Sequence, residues 1–99
     1  IWMMEQGGAG IISVASNVAP VQMAEFVSAM KEGRWEMARE MNEKLTPLFT
    51  NCFVESNPIP AKAALAAMSL IQNELRLPLV PSQQSTYDLM VGTIKDLGL

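Results

Sequence analysis

The sequence predicts a slice of repeating β/α architecture in a chain that is itself mostly α-helical. Three observations carry that expectation. A short, near-continuous apolar run rich in β-branched residues, Ile11-Ile12-Ser13-Val14, follows a glycine-rich entry, which is the pattern of a strand covered on both faces. Segments of helical apolar spacing fill the remainder, from Pro20 to Leu97. A lone buried strand would leave its backbone donors and acceptors unpaired, so residues 10–15 demand neighbours from outside this stretch of chain.

The elements follow in order. Residues 1–6 read as the last turns of an amphipathic helix, stopped by Gly7-Gly8. Residues 10–15 read as the strand. Pro20 suits the first turn of the next helix, because its missing N–H would have no helical partner there. Met23, Phe26, Val27 and Met30 then form one apolar stripe, ended by Gly33. A second helix is expected over 34–54, with Ala38, Met41, Leu45, Leu48, Phe49, Cys52 and Phe53 on one side and Pro47 as a kink inside it. Asn57 as N-cap and Pro58 as first residue restart a slim, alanine-rich helix. Prolines in "RLPLVPS" interrupt the pattern. A last helix carries Tyr87, Met90, Val91, Ile94 and Leu97, is capped by Ser82 or Ser85, and stops at Gly98.

Composition narrows the chemistry. The chain of 99 residues is 49% hydrophobic and 17% charged, with a formal net charge of −3, so it carries no electrostatic footprint for nucleic acid. It has no histidine and one cysteine, which removes His-dependent catalysis, intramolecular disulfides and Cys-based zinc sites from these residues. Cys52 lies on an apolar helical pattern and is expected to be a core thiol. No apolar run reaches the length of about 20 residues that spans a bilayer, no signal-peptide pattern is visible, and a reducing, cytoplasmic setting is the expectation. "GGAG" lacks the spacing of a phosphate-binding loop and reads as a tight turn. Lys31, Lys44 and Lys95 read as solvated helix residues, and Lys62 as a structural contact. Ser13 has no histidine or placed lysine to activate it, and the acidic residues form no acid/base pair. On spacing and composition alone, no active site is expected here, and neither a metal nor a cofactor.

Three segments carry a resemblance. "GGAGIISVASNVAP", then "FVESNPIPAKAAL", then "LRLPLVP" occur in that order. They resemble the C-terminal third of the dihydrodipicolinate synthase family, whose pattern is roughly G-G-x-G-[VI]-I-S-V-x-x-N-[VI]-x-P, F-x-E-x-N-P-I-P-x-K and R-L-P-L, and the likeness runs along essentially the whole chain. It implies a (β/α)8 barrel followed by a three-helix extension. Residues 1–33 would hold the eighth strand and helix of the barrel, and 34–99 the extension. A barrel of this kind needs about 250 residues, so its other strands would lie upstream.

The resemblance also implies a function. Enzymes of this family are lyases that condense pyruvate with aspartate 4-semialdehyde through a lysine Schiff base, on the route to lysine and diaminopimelate. They are commonly dimers or tetramers. The residues that do this chemistry would lie upstream of residue 1, so no catalytic residue is assigned here and residues 1–99 alone are expected to be inactive. Ile12 is the substrate-binding candidate, lying against pyruvate at the mouth of the barrel. Gly10 and Asn17 are candidates for shaping that pocket. Asn57, Pro58, Pro60 and Lys62 match the N-P-I-P-x-K element and are read as structural, fixing the extension against the barrel. Two alternatives stand beside this reading: a non-catalytic helical interaction module, and a sister pyruvate aldolase such as N-acetylneuraminate lyase.

Overall fold

A computed structural model describes all 99 residues, and every regular element in it is helical. In chain order these are α1 (Trp2–Glu5), a 3-10 turn (Ala15–Asn17), α2 (Pro20–Lys31), α3 (Trp35–Asn51), α4 (Ile59–Ala67) and α5 (Gln84–Leu97). Helix α3 packs between α2 and α5, α4 packs on α5, and the 3-10 turn touches both α2 and α4.

The apolar stripes form one core. Met23, Phe26, Ala29 and Met30 from α2 meet Ala38, Leu45 and Leu48 from α3 and Cys52 at its C-cap, Ala61 and Ala64 from α4, and Met90 and Ile94 from α5. The α3 residues recur at intervals of three, four and seven, which puts them on one helix face. Phe26 and Phe49 add a tilted aromatic contact between α2 and α3, with ring centroids 6.2 Å apart. Alanines at 61, 63 and 64 are buried and let α4 lie close to its neighbours. Away from the apolar contacts, the Asn51 amide donates to Thr93 Oγ1 at 2.8 Å, and Thr93 Oγ1 donates to the Leu89 carbonyl at 2.9 Å, tying α3 to α5.

The strand expected at 10–15 is corrected. Residues 8–13 have no regular structure, and residues 15–17 turn as a 3-10 helix. Ile12 is fully exposed and Ile11 is exposed, while Val14 is half-buried against the core. The reason is physical: a strand is defined by its ladder, and this chain supplies no second strand to form one.

Helix ends also differ from expectation. Helix α3 runs through Pro47 and stops at Asn51, leaving Phe53 and Val54 exposed beyond it. Pro58 takes the cap position of α4, and Asn57 makes no capping bond, because the helix opens one residue later than expected. Neither Ser82 nor Ser85 caps α5. Its N-terminal Gln83 N–H instead donates to Glu55 Oε2 at 3.1 Å, a carboxylate placed where the helix end favours negative charge. At the other end Gly98 adopts φ 71°, the left-handed stop expected of it.

Candidate functional site

Helical spacing on α4 builds one wall of a cleft. Pro58, Ala61, Lys62 and Leu65 are separated by three, four and seven residues and face the same way. The opposite wall comes from the segment before α2, through Ile12, Ser13, Val14 and Asn17, and Asn57 and Ile71 complete the lining. The cleft holds about 400 Å³.

The 3-10 turn is what holds the second wall in place. Ser16 N–H donates to Ser13 Oγ at 3.2 Å, and Ser16 Oγ donates to the Ser13 carbonyl at 2.7 Å. The Asn17 amide donates to the Val14 carbonyl at 3.1 Å, so this residue braces the turn while it lines the cleft. Short polar side chains of this kind satisfy local backbone groups and fix turns.

Lys62 is anchored by its amine, which donates to the Glu74 carbonyl in the connection between α4 and α5. An ammonium carries three donors, so that contact leaves two unused. Lys62 and Pro58 also line a neighbouring cleft of about 540 Å³, together with Glu74, Leu75, Arg76 and Leu79. Lys31, Lys44 and Lys95 are exposed on other helices.

The structure therefore brings Ile12, Asn17, Asn57, Pro58 and Lys62 into a single cleft. Gly10 and Pro60 stand outside it. A Cβ added at Gly10 would meet nothing within 4 Å, and Pro60 is fully buried. Sequence reasoning missed Leu65, Ile71 and Arg76 as lining residues. Leu65 was legible from helical spacing to Pro58 and Lys62. Ile71 and Arg76 lie in an irregular connection, where no periodicity announces a facing side.

Apolar walls with a few amide, hydroxyl and ammonium groups make this a binding surface. It has no nucleophile paired with a base, and no group of three His, Cys, Asp or Glu side chains is placed to hold a metal. Burial pushes the Cys52 thiol above its ordinary range, and it faces the core instead of the cleft. No helix is long and apolar enough to cross a membrane.

The family model described as "Dihydrodipicolinate synthetase family" matches residues 2–97. The 4-hydroxy-tetrahydrodipicolinate synthase of Thermotoga neapolitana is 49% identical over 98 residues, which is 99% of this chain and 33% of that relative. The enzyme of the same name from Archaeoglobus fulgidus is 47% identical over 93 residues, 94% of this chain and 32% of its own length. Among solved structures, the dihydrodipicolinate synthase of Thermotoga maritima superposes with a TM-score of 0.95 at 49% identity, over 98% of this chain and 33% of that one. A chloride-inhibited dihydrodipicolinate synthase from Acinetobacter baumannii, solved in complex with pyruvate, gives a TM-score of 0.93 at 37% identity, again over 98% and 33%. The chain thus spans about a third of the length of these relatives.

Proposed function

The chain belongs to the dihydrodipicolinate synthetase family, and from that premise we propose that it forms the C-terminal part of a lyase that condenses pyruvate with aspartate 4-semialdehyde through a lysine Schiff base. In this reading the product feeds lysine and diaminopimelate synthesis, and the working enzyme is a cytoplasmic homo-oligomer, a dimer or tetramer. Residues 1–33 contribute the last strand and helix of a (β/α)8 barrel, and 34–99 the helical extension. Ile12 contacts pyruvate, with Gly10 and Asn17 shaping the strand end beside it. Asn57, Pro58, Pro60 and Lys62 hold the extension against the barrel.

One observation carries the reading. The three family motifs, far apart in sequence, converge on the turn Pro58–Lys62: Ile12 and Asn17 on one side, Leu75, Arg76 and Leu79 on the other. Three motifs meeting at one place support a shared role better than any motif taken singly.

The chemistry of the chain agrees with a supporting role. A lysine forms a Schiff base readily only when desolvated or beside another cation. Lys31, Lys44 and Lys95 are exposed, and the Lys62 amine is engaged by a backbone carbonyl. Pyruvate and borohydride followed by intact-mass measurement tests the proposal. A polypeptide of the relatives' full length carrying these residues should gain one pyruvate-derived adduct, and the 99-residue chain should gain none. An adduct on the short chain, or none on the long one, would overturn it.

A further inference from the structure

The cleft on the far side of Lys62 gathers two cations. Its lining holds Lys62 and Arg76 as cations and Glu74 as the only acid, so the wall carries a net charge of +1 in a protein whose net charge is −3. Neither cation is paired with a carboxylate. The ion pairs of the chain are Arg34–Glu32 and Arg39–Glu5. Lys62 is held by the Glu74 carbonyl, a neutral acceptor that fixes the amine while leaving its charge uncompensated. Arg76 brings a planar fork of donors suited to the two oxygens of a carboxylate. Pro58, Leu75 and Leu79 add apolar surface to the same cleft, and Arg76 itself is exposed.

We infer that this cleft is a binding site for a small monocarboxylate, held between the Arg76 guanidinium and the Lys62 ammonium. The planar fork of Arg76 favours a carboxylate over a spherical anion, and Glu74 disfavours a dianion. The site adjoins the cleft that contains Ile12, since Pro58 and Lys62 line both. It would therefore gather a carboxylate substrate beside the position where the proposed reaction uses it. Only this last role rests on the functional reading above; the anion site itself does not.

Acetate is the probe, titrated into the protein at constant ionic strength set by sodium chloride, with the Arg76 Nε–H and the backbone amides of residues 74–79 followed by NMR. Saturable shifts at these groups are expected, with a dissociation constant on the order of 10 mM. Arg76→Gln should weaken binding about tenfold or more, the loss expected for one charge-assisted hydrogen bond. Lys62→Arg, which keeps the charge and the donors, should retain saturation. Shifts that follow ionic strength without saturating, or an unchanged titration in Arg76→Gln, would overturn the site. Acetate binding, with no borohydride-trapped pyruvate on a polypeptide of the relatives' full length, would leave the anion site standing and remove the lyase reading. The reverse pair of results would do the opposite.

Discussion

Cys52 has no exposed surface and no polar partner, and its thiol is pushed above the ordinary range by burial alone. The consequence is kinetic as well as thermodynamic. The thiolate is the reactive form, so a raised thiol under a closed core reacts slowly with alkylating reagents at neutral pH. Labelling of Cys52 should keep pace with unfolding of the chain, and a fast reaction with folded protein would contradict the buried position. The pH dependence has a definite sign. An unfolded cysteine ionises near pH 8.5, whereas the folded one holds its proton to higher pH. The unfolded state therefore binds fewer protons above that point, and the stability contributed by the neutral thiol is intact below it and declines as pH rises further. A Cys52→Ala variant should lose that alkaline slope and keep the rest of the profile.

At the scale of elements, the contact between α3 and α5 combines apolar packing with one polar tie. Asn51 and Thr93 form it, and Thr93 passes the hydrogen bond on to the Leu89 carbonyl. Thr93 is buried, so removing one partner leaves the other without a substitute. The single changes Asn51→Ala and Thr93→Ala should each cost about 1–2 kcal/mol, with a coupling of about 1 kcal/mol in the double-mutant cycle. Additive losses measured by denaturant unfolding would show that the two side chains act independently. This tie was invisible in the sequence, because Asn51 and Thr93 belong to different helices and no spacing rule links them. The helices themselves were legible. Met23, Phe26 and Met30 declared the buried face of α2, and Gly98 declared the end of α5, because period and backbone conformation are local properties. The segment Ile11–Val14 failed for the opposite reason: its composition suits a strand, but a strand exists only through partners elsewhere. The candidate site divides in the same way. Lys62, Asn57 and Ile12 were found through motifs and Arg76 also lies in one, while Ile71 reaches its cleft through a connection whose path is set by tertiary packing.

For the molecule as a whole, the balance of buried and exposed apolar surface is the informative quantity. The radius of gyration is 14.3 Å, against about 13 Å expected for a compact domain of 100 residues. The helices close a core, yet large apolar residues stay in water along the chain, among them Trp2, Met3, Ile11 and Ile12 in the segment before α2 and Leu70, Ile71, Leu77 and Val80 between α4 and α5. Single exposed apolar residues are ordinary on protein surfaces. Four in one short segment, in a chain spanning about a third of its relatives' length, fit a face that the proposed barrel would cover. Ile12→Asp separates the two situations. In the 99-residue chain the side chain is fully exposed at the cleft, so the charge meets little desolvation and the melting temperature should barely move. In a polypeptide of the relatives' full length, the proposed barrel surrounds the same position with apolar walls, and an unpaired carboxylate there carries the full penalty of burial. The melting temperature should then fall by many degrees, and pyruvate trapping should fail with it. Equal loss in both chains would mean that the segment is already packed in the short one. No loss in either would mean that no barrel closes over Ile12, and the exposed face would then belong to a helical module that presents it to another partner.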